Sequence, residues 1–566
     1  MSAALAGWLQ VGLLVAALTA CYVPLGNYLA HIFGGCRESS AGTGAGATSR
    51  HWRVERGIYQ LIGVDADADQ AWSSYLRSLL AFSLVSVLFL YGLERLQHYL
   101  VLSLGLPNVP PPIAFNTAAS FVTNTNWQNY SGETTMGYVV QMSGLAVQNF
   151  LSAAAGLAVA MALIRGFVRS RTDSVGNFWA DVTRATVRLL IPLSIVGGLI
   201  LVAAGVIDNF HANQVLTTLA PGHQTITGGP VASQEVIKEL GNNGGGFYNA
   251  NSAHPFENPN PFTDWFEIFL LLLIPFATPR AFGKLVGDNR QGYALVAVMV
   301  ILWLGAVGGI SFFEAQHAGL APQLAHAAME GKNVTNGTPA SSLFAASTTV
   351  TSTGAVNSFH DSFTAFGGGV ALFDMAVGEV VPGGIGAGMY GLLVLAIVTV
   401  FVGGLMVGRT PEYLGKKIRP AEMKYAALYF LTTPLLVLTA AGLSIGTKTP
   451  QASILNPGPH GLTEVMYAFT SMANNNGSAF AGLTTNTDWY NAVGGVVMLL
   501  SRFAPQIFVL GLAGSLARQQ PVPASSGTLE THKPLFVGML VAVILVLVGL
   551  TYFPALALGP FAEGLH

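Results

Sequence analysis

Residues 240–259 read LGNNGGGFYNANSAHPFENP, and in this segment three consecutive glycines, Gly244, Gly245 and Gly246, stand among five asparagines. The segment lies beside an apolar run long enough to cross a membrane. An ordinary loop has no need of three glycines in a row, and a membrane helix does not tolerate them at its end. The segment therefore indicates an unusual backbone conformation, one that glycine adopts without strain, next to a membrane span.

The composition supports a membrane protein. Charged residues make up 9% of the 566 residues and hydrophobic residues 52%, whereas about 25% of a soluble domain is charged. The formal net charge of −2 argues against a basic surface for nucleic acid. The two cysteines, Cys21 and Cys36, lie in or just after the first apolar run and indicate neither a disulfide framework nor a metal site.

Apolar runs of about 20 residues predict ten membrane crossings. The first run, 7–33, lacks a basic leader and is long enough to span, so it is predicted to be a retained helix rather than a signal peptide. The ten predicted spans are 6–31, 75–97, 138–164, 184–207, 264–282, 292–313, 385–408, 424–446, 489–514 and 534–556.

Basic residues orient these crossings. Of the 25 lysines and arginines, 20 lie in or beside the loops after odd-numbered spans, and four lie on the other side. Cytoplasmic loops carry the excess of basic residues. Both termini are therefore predicted to lie outside, and the loop 34–74, with its Gly/Ala/Ser-rich segment 39–49, is predicted to be cytoplasmic and flexible.

One polar pattern occurs four times on the predicted outer side. It reads SFVTNTNWQ at 120–128, ELGNNGGGF at 239–247, STTVTSTGAV at 347–356 and MANNNGSAF at 472–480. Each copy follows an apolar segment too short to span and precedes one that spans. Exposed Gly/Asn-rich turns are the simpler interpretation of any single copy. Four copies at a regular interval instead predict re-entrant turns, because non-helical backbone at membrane depth survives only inside protein or beside water.

The predicted fold class is an all-α polytopic membrane protein of ten transmembrane helices. It has four K⁺-channel-like helix–pore-loop–helix repeats and one extra helix at each end. The predicted repeats are 75–166, 183–283, 291–409 and 424–516. The extra helices are 1–33 and 533–557, with the cytoplasmic loop 34–74 after the first.

The four turns favour a site for a dehydrated monovalent cation. A filter of this kind replaces the hydration shell of the ion with carbonyl oxygens, and aligning successive carbonyls requires dihedrals that suit glycine. Gly244, Gly354 and Gly477 supply such positions. No Asp or Glu stands at the tip of a turn, and carboxylate rings would favour divalent ions instead.

The sequence resembles the KdpA family, the ion-binding subunits of bacterial potassium-translocating ATPases, within the superfamily of K⁺ transporters. The resemblance covers nearly the whole chain. It is carried by TNTNWQNYSGETT (123–135), PVASQEVIKELGNNGGGFYNANSAHPFENP (230–259), GAVNSFHDSFTAFGG (354–368), GRTPEYLGKKI (408–418), LNPGPHG (455–461) and NNNGSAFAGL (474–483).

The resemblance implies which residues line a K⁺ selectivity filter. They are Asn124, Thr125, Asn126, Asn242, Asn243, Gly244, Thr353, Gly354, Asn475, Asn476 and Gly477. Gln128 is implied as a coupling residue at the foot of the first turn, and Gly245, Gly246 and Asn251 as support for the second. Position 353 is Thr where some members carry Cys, and position 242 is Asn where some carry Thr.

The region 371–408 is too long for one straight span, and it contains Asp374, Glu379, Pro382 and several glycines. A broken helix is expected there, and a kinked helix beside an exposed loop is the alternative. The resemblance implies a loop under the filter and an inner gate formed by Glu379, Gly384, Gly386 and Arg502. For Arg502, which lies within a span, the alternative is a side chain that snorkels to the cytoplasmic face.

The predicted function is capture of K⁺ from outside and its transfer to a partner that hydrolyses ATP. The chain has no DKTG phosphorylation motif, so it is not predicted to be an enzyme on its own. The resemblance implies a KdpB-like P-type ATPase subunit, a KdpF-like single-span subunit and a KdpC-like accessory subunit in the bacterial plasma membrane. ATP and Mg²⁺ would act only through that partner.

Two other functions are alternatives, and the first of them would have the same fold. One is a passive or ion-coupled K⁺ transporter that works without a pump, and the other is a sensor that does not transport.

The outward histidines His223, His254 and His360 show no metal-ligand spacing and are expected to be polar loop residues.

Overall fold

The computed structural model of the protein describes residues 3–34, 51–220, 222–316, 328–377, 380–406, 408, 411–523 and 528–565. Ten helices in these ranges are long and apolar enough to cross a membrane, which confirms the predicted ten crossings. In chain order these spans are Leu5–Phe33, Trp72–Arg95, Val140–Val168, Phe178–Ala203, Pro261–Val286, Asn289–Glu314, Ala387–Met406, Pro420–Gly446, Asp488–Arg518 and Pro534–Gly564. The predicted flexible segment 39–49 lies outside the described residues.

Four shorter helices enter the bundle without crossing it. They have 10 to 15 residues each and are Pro111–Val122, Val231–Leu240, Gly337–Val350 and Pro459–Ala473. At 1.5 Å per residue none reaches the roughly 30 Å of a bilayer core. We call them the first to fourth pore helices. Proline stands at or near the start of the first and last, where its missing N–H costs nothing.

Burial separates the spans into an inner and an outer set. The buried share is 89% for the third span, 83% for the fifth, 67% for the seventh and 61% for the ninth, against 22–39% for the other six. Each unit therefore consists of an outer span, a pore helix, a turn and an inner span. The inner spans surround the pore helices and the outer spans face lipid, while the first and tenth spans complete the bundle, as the predicted fold class requires.

The third unit is interrupted before its inner span. A helix Ala365–Val377 precedes non-helical residues 380–386, and the seventh span begins at Ala387. The expected break in 371–408 is therefore present. The backbone N–H of Gly383 donates to the carbonyl of Val350, the last residue of the third pore helix, at 2.9 Å. The break thus lies directly against the end of that pore helix.

The remaining elements are small. A helix Arg53–Ile62 lies between the first two spans, and short helices cover Gly132–Thr135 and Lys448–Gln451. Single-turn 3₁₀ helices cover Gln97–Tyr99, Asn251–Ala253 and His360–Ser362. Three antiparallel pairs join Gln70–Ala71 to Ser174–Gly176, Gln214–Thr217 to His223–Ile226 and Glu412–Tyr413 to Lys416–Lys417.

Candidate cation site at the four pore turns

Each pore helix ends in a three-residue turn with the same backbone course. The turns are 124–126, 242–244, 352–354 and 475–477, numbered first to fourth. The opening residue of each has a positive φ: 67° at Asn124, 50° at Asn242, 53° at Ser352 and 50° at Asn475. The closing residue of each turn also has a positive φ: 52° at Asn126, 80° at Gly244, 91° at Gly354 and 105° at Gly477. Asparagine and glycine are the residues that enter this region at least cost.

The pore helices take up the N–H groups of the turns. In the second turn, Asn243 and Gly244 both donate to the carbonyl of Lys238, at 2.9 and 3.2 Å. In the fourth, Asn476 donates to the carbonyl of Ser471 and Gly477 to its hydroxyl, both at 2.9 Å. The first and third turns repeat this arrangement at Ser120 and Thr348. Because these backbone N–H groups are bonded to the pore helices, the backbone groups that the turns leave available are mainly carbonyl oxygens.

Close contacts between the turns form a closed ring. A Cβ atom on Gly244 would overlap the carbonyl oxygen of Thr353 in the third turn. The same holds for Gly354 and the Asn476 carbonyl, and for Gly477 and the Thr125 carbonyl. The first turn has Asn126 at this position, and its Cβ lies 2.6 Å from where Gly245 would carry one. The turns therefore follow one another in chain order around a common centre, and the fourth meets the first.

Side-chain hydrogen bonds join the same neighbours. Asn124 Nδ2 donates to the carbonyl of Asn242 at 2.7 Å, and Asn242 Nδ2 donates to Thr353 Oγ1 at 3.0 Å. Asn475 Nδ2 donates to Thr125 Oγ1 at 2.9 Å, and Asn476 Nδ2 donates to the carbonyl of Thr348 at 2.9 Å. The eleven filter positions implied by the resemblance are thus brought together, and all are buried except Gly477, which is partly exposed.

The electrostatics of the ring favour a cation. The carboxyl ends of all four pore helices meet here, and helix carboxyl ends carry partial negative charge. Within the described part of the chain, four buried side-chain oxygens at the turns also have no hydrogen-bond partner, namely Oδ1 of Asn126, Asn242, Asn243 and Asn475. Buried acceptors without donors are costly, and a cation within reach of such an oxygen would satisfy it.

An open cavity of about 740 Å³ lies over the ring. Its lining includes the closing residue of every turn, Asn126, Gly244, Gly354 and Gly477. We call this cavity the vestibule. Gln128 also lines it and donates to the carbonyl of Gly246 at 3.1 Å, so this side chain joins the segments that follow the first two turns.

Asn251 supports the second turn directly. Its Nδ2 donates to the carbonyl of Gly244 at 2.7 Å. Its Oδ1 accepts from Lys238 Nζ at 3.0 Å and from the backbone N–H of Val356 at 3.2 Å. One side chain therefore holds a turn carbonyl, a buried ammonium group and the segment that follows the third turn.

The ammonium group of Lys238 belongs to a buried charge cluster behind the second turn. Lys238 Nζ lies 2.8 Å from Glu235, 3.0 Å from Glu257 and 3.5 Å from Glu239. The carboxylate oxygens of Glu235, Glu239 and Glu267 lie within 4.8 Å of one another. The five side chains are at most 1% exposed. The turns themselves remain free of carboxylates, but the second turn stands in front of this cluster.

On the side away from the vestibule, the broken segment covers the ring. A Cβ on Gly384 would lie 3.3 Å from the carbonyl oxygen of Thr351, just before the third turn opens. Gly386 packs against the backbone of Gly156 in the third span. The guanidinium of Arg502 also reaches Gly156, 3.1 Å from the position of a Cβ there.

Three of the four residues implied as an inner gate therefore lie around this segment. Arg502 is 5% exposed, so it is buried rather than snorkelling. Glu379 lies outside the described residues.

Comparison with known proteins places these features in a family. A family model described as "Potassium-transporting ATPase A subunit", KdpA, matches residues 12–565. The chain belongs to the KdpA family.

KdpA-family relatives match the chain from end to end. Proteins from Mycobacterium avium, Streptomyces coelicolor and Frankia alni are 58%, 57% and 56% identical to it, each over 100% of both chains. All three carry the name "Potassium-transporting ATPase potassium-binding subunit".

A solved structure shares the fold of this KdpA-family chain. The potassium transporter TrkH from Vibrio parahaemolyticus superposes with a TM-score of 0.50 at 16% identity, covering 76% of this chain and 83% of that one. At this identity the likeness shows the fold alone.

Some site residues of this KdpA-family chain were not predicted. Ser352 opens the third turn, where the sequence interpretation began at Thr353, and alignment of the four turns on their closing residue would have found it. Lys238 and its carboxylate partners were also missed, because Glu257 and Glu267 come from segments far along the chain. Among the histidines expected to be polar loop residues, His360 is buried and contacts the Tyr467 hydroxyl at 2.9 Å.

Proposed function

We propose that this KdpA-family chain binds K⁺ from the outer face of a bacterial plasma membrane in a selectivity filter formed by its four turns. The observation that carries the proposal is the closed ring of backbone carbonyls under an open vestibule. Carbonyl and amide oxygens at such a ring replace the hydration shell of a monovalent cation. The ring contains no carboxylate, which suits a monovalent ion better than a divalent one.

The basic residues support the orientation. With 20 of the 25 lysines and arginines in or beside the loops after odd-numbered spans, those loops are cytoplasmic. The vestibule then opens outside, and both termini lie outside as well. K⁺ enters the vestibule, loses water at the ring and is held there by neutral oxygens.

The ion leaves sideways rather than straight through. Residues 380–386 lie against the inner end of the third pore helix, in the direct path below the ring. Beside this segment is a cavity of about 80 Å³, lined in part by Val377, Val380, Asn474 and Pro505. We propose that Gly384, Gly386 and Arg502, with Glu379, control passage there, and that Gln128 couples occupancy of the vestibule to the second turn.

Transport against a gradient requires a partner. The relatives are named as potassium-binding subunits of a potassium-transporting ATPase, and this chain has no DKTG motif. We propose that a KdpB-like P-type subunit receives K⁺ and supplies the ATP and Mg²⁺ chemistry, with KdpF-like and KdpC-like subunits in the same assembly. This chain itself hydrolyses nothing.

Gly244→Asp tests the site. A carboxylate among the neutral dipoles of the ring is expected to weaken K⁺ binding and to relax discrimination against Na⁺, Rb⁺ and NH₄⁺. K⁺-stimulated ATP hydrolysis by the purified assembly, measured with each cation, reports both effects. Asn249→Asp is the matched control, because Asn249 lines the vestibule but is exposed. An unchanged order of cation preference in Gly244→Asp would contradict the proposal.

Co-purification distinguishes a pump subunit from a passive or ion-coupled K⁺ transporter. We expect an affinity-tagged chain to bring a P-type ATPase subunit out of the membrane in a fixed ratio. A lone oligomer that moves K⁺ into vesicles without ATP would instead favour a passive or ion-coupled transporter, whose fold would be the same.

A further inference from the structure

A second cluster of ligating side chains lies where the third and fourth units meet the end of the tenth span. Asp361, His460 and Glu464 each offer one nitrogen or oxygen atom, and these three atoms lie within 4.8 Å of one another. Asp361 follows the third turn, whereas His460 and Glu464 stand near the start of the fourth pore helix. The neighbouring residue His360 lines the vestibule, so the cluster borders the mouth of the site already described.

The imidazole is oriented as in metal sites. His460 Nδ1 lies 2.9 Å from Glu563 Oε1, and its Nε2 lies 3.1 Å from Asp361 Oδ1. A metal-bound histidine typically has its second ring nitrogen held by a carboxylate, which fixes the ring orientation. Here Glu563 holds Nδ1, and Nε2 faces the carboxylate of Asp361.

Glu464 has an oxygen without a partner in this cluster. The side chain is 0% exposed. Its Oε1 accepts from Asn456 Nδ2 at 2.7 Å, but its Oε2 has no hydrogen-bond partner among the residues that the structure describes. A buried carboxylate oxygen without a donor is costly unless a cation or a proton satisfies it.

A glycine leaves room beside the two carboxylates. A Cβ on Gly482 would overlap Glu464 Oε1 and would lie 2.7 Å from Asp361 Oδ2. Any larger residue at position 482 would therefore fill the space that these oxygens face. The chain places its smallest residue there, just after the fourth turn.

The side chains of the cluster and Glu563 together carry more negative than positive charge. Asp361, Glu464 and Glu563 surround a single imidazole, so the group is negative even when His460 is protonated. We infer that Asp361, His460 and Glu464 form a binding site for a divalent transition-metal ion of the Zn²⁺ class, with Glu563 orienting the imidazole. One nitrogen and two carboxylates leave a fourth position for water, as tetrahedral zinc sites allow.

A metal ion here would clamp the rim of the vestibule. The ring of His460 stacks on Phe480 with centroids 6.0 Å apart, and Phe480 stacks on Tyr467 at 4.1 Å. The hydroxyl of Tyr467 lies 3.0 Å from the hydroxyl of Ser478, the residue after the fourth turn. The inference is independent of K⁺ binding, because none of its ligands belongs to a turn.

Zn²⁺ titration tests the site. The assembly extracted from its membrane is titrated with Zn²⁺ by calorimetry, alongside the variants His460→Gln and Glu464→Gln, at pH 8. An alkaline pH is used because a proton on His460 competes with the metal. We expect each variant to bind one Zn²⁺ equivalent fewer than the parent protein. Equal stoichiometry in parent and variants would overturn the inference.

Two further measurements separate binding from a folding defect. Zn²⁺ is expected to raise the thermal unfolding midpoint of the parent and of the control His223→Gln, whose histidine is exposed in a hairpin, but not that of Glu464→Gln. Glu563→Gln is expected to fold and to bind Zn²⁺ about 10–100-fold more weakly. An unchanged affinity in Glu563→Gln, or an equal rise in midpoint in Glu464→Gln, would contradict the assignment.

Discussion

Gly244 in the second turn has no room for a side chain, because a Cβ atom there would overlap the carbonyl oxygen of Thr353 in the third turn. The same relationship recurs at Gly354 and Gly477 with their own neighbours. Each contact brings a carbonyl of one turn against the backbone of another. The spacing of the whole ring therefore depends on the absence of Cβ atoms at three positions.

Gly244→Ala is predicted to weaken K⁺ binding by about tenfold or more. The methyl group must displace the Thr353 carbonyl, and a φ of 80° costs an L-residue about 1 kcal/mol besides. Calorimetric titration with K⁺ measures the change. Gly442→Ala in the eighth span is the control, since no atom of the described residues lies within 4 Å of a Cβ there. Equal K⁺ affinity in the two variants would contradict the ring geometry.

Asn251→Ala is predicted to lower K⁺ affinity. The substitution removes the 2.7 Å hydrogen bond to the carbonyl of Gly244. A buried hydrogen bond of this kind is worth about 1–3 kcal/mol when one partner is lost, so K⁺ affinity should fall about tenfold. Asn249→Ala, at an exposed position, should bind K⁺ like the parent. If both variants bind equally, Asn251 does not position the turn.

Lys238→Met is predicted to destabilise the protein by about 3–5 kcal/mol, since removal of one partner leaves buried charge uncompensated. Its ammonium is the cation that contacts Glu235, Glu239 and Glu257. The midpoint of thermal unfolding reports the loss. The double variant Lys238→Met/Glu257→Gln should recover part of it, because the two residues are coupled.

Lys448→Met is the surface control for this cluster, because Lys448 is exposed. It should unfold at the same temperature as the parent. A Lys238→Met protein as stable as the Lys448→Met protein would mean that the cluster is neutralised in some other way.

Gly156→Ala is predicted to separate K⁺ binding from K⁺ transport. A Cβ at position 156 would lie 2.5 Å from the carbonyl oxygen of Ile385 and 3.1 Å from the Arg502 guanidinium. The methyl group should displace the broken segment without touching the ring. We expect normal K⁺ affinity by calorimetry but reduced K⁺ uptake in vesicles. Gly308→Ala in the sixth span should change neither quantity, because no atom of the described part of the chain lies within 4 Å of a Cβ there.

The sequence predicted the features that depend on local pattern. Apolar run length located all ten spans, and the recurrence of Asn and Gly after short apolar segments located the turns. The turn at 242–244 could be predicted because its backbone dihedrals favour Asn and Gly. The break before the seventh span was visible because Pro382 and several glycines interrupt an apolar run.

Features that depend on distant segments were not predicted. Glu257 and Lys238 form an ion pair only because the chain after the second turn folds back over the pore helix. His460 meets Glu563 across 103 residues, and no spacing rule connects such positions. The sequence also did not reveal Ser352, because serine rarely takes a positive φ and gives no local signal for one.

The most direct test of the central claim is an anomalous difference map from crystals grown in Rb⁺, a heavier ion that substitutes for K⁺. We predict a peak enclosed by residues 124–126, 242–244, 352–354 and 475–477, weakened or lost in Gly244→Asp. A map with Rb⁺ peaks elsewhere in the membrane region and none among the four turns would contradict the account.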